Sequence, residues 1–173
     1  WEQYCDASIP TTSEPTMDGH LLIQNATLVL PDRVVEGDLR VSGGSIANIA
    51  AGGGLQPSND ETVIDATGLH LLPGAIDPHV HFREPGNTDK EDLESGSRAA
   101  AAGGVTSFLD MPNNNPNATN RSTLERKIAL ASKKSVTHHG FFIGATNDNI
   151  SDLQSVEGMD GVCGIKIFMG SST

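Results

Sequence analysis

The pattern of apolar positions changes character near residue 73. Before it, apolar residues come in short runs cut by turn residues. The run 21–30 stops at Pro31-Asp32, and 34–41 alternates in part. Gly43-Gly44 marks a tight turn, and 45–51 completes a hairpin. Residues 52–54 and 57–60 are loop, and 61–65 reads as one more strand. This predicts a small all-β unit over residues 21–72. The polar, acidic stretch 1–20 is expected to be a loosely packed extension.

Beyond residue 73, strand-like runs alternate with helical ones. The strands are expected at 75–82, 105–111, 137–145 and 164–169. The first helix, 90–102, begins acidic, is alanine-rich and meets Gly103-Gly104 as a C-cap. The second, 122–134, opens with the capping-box pattern Ser122-Thr123-Leu124-Glu125 and spaces Leu124, Ile128 and Ala131 as one helical face. A short third helix is expected near 150–156. Each strand-helix unit takes about 30 residues, which argues for a parallel sheet with helices outside. The predicted fold class is α/β. Residues 73–173 read as the first four βα units, the N-terminal half, of a (β/α)8 TIM-type barrel. A complete barrel takes about 250 residues, and half of one leaves two open edges. The chain is therefore expected to be part of a longer protein.

Composition narrows the partners. There are 22 acidic against 11 basic residues, a formal charge of −11. That excess disfavours nucleic acid and a polybasic membrane contact. No segment is long and apolar enough to cross a membrane, and the first residues lack the pattern of a signal peptide. Cys5 and Cys163 lie far apart in unlike contexts, which suits a reducing, cytoplasmic compartment better than a disulfide framework. Cys163, in an apolar run, reads as a small core residue.

The chemistry gathers around Asp77-Pro78-His79-Val80-His81-Phe82-Arg83-Glu84-Pro85-Gly86. Residues at i and i+2 of a strand share a face. His79 and His81 therefore offer paired imidazole donors to a divalent metal, unless they are merely two polar residues at a strand end. Arg83 continues the same spacing, and a cation beside a Lewis acid suits an anionic substrate. At the end of the second strand, Asn113 could bind a substrate carboxylate or amide edge, or equally cap a turn, as Asn114 and Asn115 could. Lys166 is expected inside a buried apolar strand, where burial favours the neutral amine. Its ammonium could pair with a buried carboxylate. Alternatively, the neutral amine could attack carbon dioxide, lose a proton and become a carbamate whose two oxygens bridge two metals. His138 and His139 fall at the far end of their strand and read as structural or exposed.

Together these residues resemble the amidohydrolase superfamily, and within it the dihydroorotases. The likeness runs from about residue 20 to the end. It rests on Leu72-Pro73-Gly74-Ala75-Ile76-Asp77-Pro78-His79-Val80-His81, on Phe82-Arg83-Glu84-Pro85-Gly86, and on Gly103-Gly104-Val105-Thr106-Ser107. It includes Asp110-Met111-Pro112-Asn113 and Gly164-Ile165-Lys166-Ile167-Phe168-Met169-Gly170-Ser171-Ser172. The resemblance implies that His79, His81 and carbamylated Lys166 bind two divalent ions, zinc being the expected metal. It implies that Arg83 and Asn113 hold the carboxylate of dihydroorotate or N-carbamoyl-L-aspartate. The implied reaction is the reversible ring opening that joins those two compounds in pyrimidine synthesis. Two further histidines and an aspartate proton shuttle, which the family supplies from later strands, are absent here. The fragment alone is expected to be inactive and to need the remainder of its barrel, within a homo-oligomer.

Two other readings compete. Hydantoinases and dihydropyrimidinases resemble the chain at the histidines and lysine but lack the arginine two residues past the second histidine. Allantoinases share the Glu-Pro-Gly extension but typically carry asparagine at the position of Arg83 and lack the Pro-Asn of the second strand. A reading of another class is a non-catalytic, dihydroorotase-like scaffold for aspartate transcarbamoylase. Such a scaffold would be expected to have lost His79, His81 and Lys166.

Overall fold

Gly43 and Gly44 adopt φ values of 57° and 74°, the paired positive angles that a two-residue hairpin turn demands. They join β2 (Val34–Ser42) to β3 (Ser45–Ala51), with Ser42 opposite Ser45. β1 (His20–Val29) runs antiparallel to β2. β4 (Glu61–Asp65) and the short β5 (His70–Leu71) both pair with β1 in parallel, so the order is β3-β2-β1-β4 with β5 also on β1. The β unit is as expected, but its parallel pairs are not visible in local patterning. Its buried side chains include Leu22, Ala26, Leu28, Leu39 and Ala66.

The computed structural model describes residues 19–170. The extension expected over 1–20 therefore lies outside the described residues except at its end, where His20 already belongs to β1. The division between the two units falls after Pro73.

A bulge interrupts β1 between Ile23 and Ala26, and Asn25 there has a φ of 60°. Asp38, buried on β2, holds it: Oδ1 accepts the Asn25 amide N–H at 3.0 Å and Oδ2 the Leu55 N–H at 2.9 Å. The Asn25 amide, opposed by burial and helped by Leu55, keeps the Asp38 carboxyl below its usual 3.8. A carboxylate whose folded pKa is depressed stabilises above its unfolded value, and that stability is lost as pH falls through the folded one. The β unit is therefore expected to weaken as the pH drops below about 3.8. Asp38→Asn should lower stability at pH 7 and flatten this acid limb, because its amide presents N–H to a backbone donor. Urea unfolding followed by circular dichroism between pH 7 and 2 checks this; an unchanged acid limb in the variant contradicts it.

From Gly74 the chain alternates as expected. β6 (Ala75–Val80), β7 (Val105–Asp110), β8 (His138–Gly144) and β9 (Val162–Lys166) form one parallel sheet in chain order. α1 (Leu93–Ala102), α2 (Arg121–Lys134) and α3 (Ile150–Ser155) connect them. This is the α/β class, built as successive βα units. α1 starts later than expected because Asp92 caps it, its Oδ1 accepting the Ser95 N–H at 2.7 Å. α2 starts earlier because Asn120 caps it, its Oδ1 accepting the Thr123 N–H at 2.9 Å, so the Ser122-to-Glu125 box is not used.

The core of this unit lies between sheet and helices, around Phe82, Leu93, Phe108, Leu124, Phe141 and Ile143. Phe82 and Phe108 meet edge to face with ring centres 4.6 Å apart. Two expectations fail on β9. Cys163 is exposed, not a core residue. Ile165 on β9 and Ile167 just past it are 53% and 65% exposed, and β9 is an edge strand with only β8 beside it.

Candidate functional site

Strand alternation decides which side chains can share a site. Val80 and Phe82 pack into the helix-side core, so His79 on β6 and His81, one residue past its end, turn away from that core. Their ring centres are 5.2 Å apart. On β9, Lys166 pairs with Gly144, and Ile165 with the buried Ile143. Lys166 therefore lies on the same non-helical face as the histidines, at the same C-terminal edge. That edge is where parallel α/β folds place their chemistry.

The structure joins two of the expected residues directly. His81 Nδ1 is 2.7 Å from Asn113 Oδ1. Because a carbonyl oxygen can only accept, Nδ1–H donates, leaving His81 Nε2 for a metal and the Asn113 amide N–H for a ligand. This is the arrangement by which a partner commonly orients a metal-binding imidazole. Asn113 thus engages the His81 ring. His79 is exposed, and its backbone N–H donates to Asp77 Oδ1 at 3.1 Å.

Arg83 reaches its place by a different route from the one its spacing suggests. β6 ends at Val80, so strand alternation does not carry to residue 83. Instead the Glu84 N–H donates to the Phe82 carbonyl at 2.8 Å, a three-residue turn with Arg83 at its centre. Among the described residues the Arg83 guanidinium has no ion pair.

Lys166 does not lie in a buried strand. It is half-buried at the last position of β9, and its Nζ sits 5.3 Å from the Phe168 ring centre. It is not fully buried, and no buried carboxylate pairs with it among the described residues. The strand expected to be covered on both sides is uncovered on one.

Among the described residues the buried lysine is Lys127, on α2. It is 1% exposed and lies 2.7 Å from Oδ2 of Asp110, which is fully buried. The contact is an ion pair whose angles fall short of a hydrogen bond. The Lys127 ammonium donates to the Met111 carbonyl at 2.8 Å and to Asn114 Oδ1. Burial pushes the Asp110 carboxyl up and the Lys127 amine down, against their mutual attraction. Sequence reasoning missed this pair, although a signal was present: Lys127 stands three residues after Leu124 and four before Ala131, on the buried stripe. Glu84 is buried as well; its Oε2 accepts the Leu93 N–H at 3.0 Å and its Oε1 pairs with Lys134.

His138 is exposed. His139 stacks near Phe108 and Phe141, with its pKa lowered by burial. Both sit at the start of β8, away from the histidine pair, as expected.

The donor chemistry fits part of a metal site. Two imidazoles, one with its second nitrogen engaged, suit zinc. Among the described residues no group of three or more His, Cys, Asp and Glu side chains comes together to hold an ion.

Comparison with known proteins places this geometry. An allantoinase of Deinococcus radiodurans is 40% identical over 159 residues, a match covering 88% of this chain and 33% of that protein. A dihydroorotase of Methanosarcina acetivorans is 39% identical over 151 residues, covering 87% of this chain and 32% of its own. The solved structure of an L-hydantoinase (dihydropyrimidinase) from Arthrobacter aurescens superposes with a TM-score of 0.80 at 26% identity, over 88% of this chain and 34% of that one. The chain thus spans about a third of the length of the relatives it matches. Residues 70–158, which include the histidine pair, the Arg83 turn, Asn113 and the buried Lys127, match the model of the amidohydrolase family. The chain belongs to the amidohydrolase family.

Proposed function

We propose that the protein carrying this chain is a dihydroorotase, reversibly opening the ring of dihydroorotate to N-carbamoyl-L-aspartate. The observation that carries this reading is the contact of Asn113 with His81 beside a turn that has Arg83 at its centre. A carboxylate-bearing ring needs a cation and a neutral N–H donor next to the metal, and those two side chains supply them. His79 and His81 would hold the first of two divalent ions, taken to be zinc, and Lys166 as a carbamate would bridge it to the second. Metals in such a site lower the pKa of bound water and polarise the amide. Of the chain's own residues, Asn113 would set the His81 tautomer and Arg83 would fix the substrate carboxylate. The remainder of the barrel, a homo-oligomer and a cytoplasmic setting complete the proposal.

Allantoinase is the second reading, because relatives of that name match at 40% identity. Arg83 and Asn113 argue against it, since the allantoinase pattern typically has asparagine in place of the first and lacks the second. The intact protein should close carbamoyl-aspartate to a ring and leave allantoin and dihydrouracil untouched. Turnover of either of the latter without the first would refute the dihydroorotase reading. Metal content separates both enzymes from a scaffold for aspartate transcarbamoylase: fewer than roughly one zinc per chain, with metal and carbon dioxide supplied, favours the scaffold.

A further inference from the structure

We infer that Asp110, Asn114 and Lys127 are positioning residues: a buried polar clamp that grips the backbone of Phe82 and so presents His81 and Arg83 before any metal is bound. The inference deepens the proposed function and rests on it for the roles of those two side chains.

The clamp is drawn from three elements and converges on one residue. Asp110 Oδ1, at the end of β7, accepts the Phe82 N–H at 2.9 Å. Asn114 Nδ2 donates to the Phe82 carbonyl at 3.1 Å and to the Glu84 carbonyl at 3.0 Å, bracketing Arg83. Lys127 on α2 holds the free ends of both, through Asp110 Oδ2 and Asn114 Oδ1. The Phe82 ring is pinned from the other side by Phe108. Gly96 of α1 leaves room for it, since a Cβ there would lie 2.7 Å from the ring. The three polar side chains are no more than 6% exposed. Water therefore does not compete for these bonds, and any other orientation of residue 82 would leave buried polar groups unpaired.

A helix-to-sheet ion pair would need only Lys127 and Asp110. Here both main-chain groups of Phe82 are taken by side chains, and the residues on either side of it are the proposed metal ligand and the proposed carboxylate binder. The neighbouring asparagines divide the work: Asn113 orients the His81 imidazole, while Asn114 orients the backbone that carries it.

The test is zinc affinity, measured by chelator competition on the intact protein. Asn114→Ala, with its fold verified by circular dichroism, should bind zinc roughly 10- to 100-fold more weakly than wild type, the usual consequence of losing an outer partner of a metal site. Folded Asn114→Ala with an affinity within twofold of wild type overturns the proposal. Hydrogen exchange on metal-free wild type gives a readout that needs no variant. The peptide carrying Phe82 should exchange as slowly as the β7 core, and exchange at the rate of an exposed loop overturns it. Wild type that binds no zinc but still protects Phe82 would sink the metal reading and leave the clamp standing.

Discussion

Lys127→Met is expected to destabilise the α/β unit by about 3–5 kcal/mol, the range found when one partner of a buried ion pair is removed. The variant leaves the Asp110 carboxylate fully buried without its ammonium. It also leaves Asn114 Oδ1 and the Met111 carbonyl without their donor. The sign of the pH dependence follows. Burial already pushes the Asp110 carboxyl above its usual 3.8. A carboxyl raised in the folded state stabilises when protonated, and that contribution is lost as pH rises through the folded pKa. The penalty in Lys127→Met should therefore shrink as the pH is lowered towards 3.8. Asp110→Leu added to Lys127→Met should recover part of the loss, since an apolar pair can replace a buried ionic one. Urea unfolding midpoints at pH 7 and 4.5 read all three; a loss under about 1 kcal/mol at pH 7 would show that the pair holds nothing.

The second large effect is on substrate. On the proposed dihydroorotase reading, Arg83→Ala in the intact protein should raise KM for dihydroorotate about 10- to 150-fold. This corresponds to the roughly 1.5–3 kcal/mol of hydrogen bonds to a charged group. Arg83→Lys should recover only part, because an ammonium lacks the planar fork that grips both carboxylate oxygens. Zinc content should stay at the wild-type level in both variants, which separates loss of substrate binding from loss of metal. An unchanged KM in Arg83→Ala removes this residue from the substrate site.

The two predictions differ in how visible their residues are in the sequence. Arg83 stands out because it follows a histidine pair at fixed spacing. Yet the spacing argument that picks it out is not what places it: β6 ends before it, and a turn held by buried side chains takes over. Lys127 sits in plain view on the apolar stripe of a helix. Its partner, Asp110, lies on another element, and nothing local in either segment pairs them. Lys166 errs in the opposite direction. Its flanking isoleucines read as burial, but apolar neighbours bury a lysine only when other elements cover both faces of the strand.

Local chemistry was enough for the elements themselves. The paired positive φ of Gly43-Gly44 requires little else, and alternation or helical spacing over a few residues sets strands and helices. The succession of βα units likewise argues for parallel strands, since a helix between strands returns the chain to the same edge, although their order β6-β7-β8-β9 is set by the packed sheet. The closeness of the two histidine rings is also legible in the sequence, because two-residue spacing in extended backbone turns side chains the same way. Tertiary structure decided the rest. It paired β4 and β5 with β1 in parallel, buried Lys127 rather than Lys166, set Asn113 on His81, and held Phe82 by side chains from β7 and the loop after it, backed by Lys127 of α2. Each of these is a contact between segments far apart in the chain. Its free energy depends on which groups lose water together, and only the packed fold determines that.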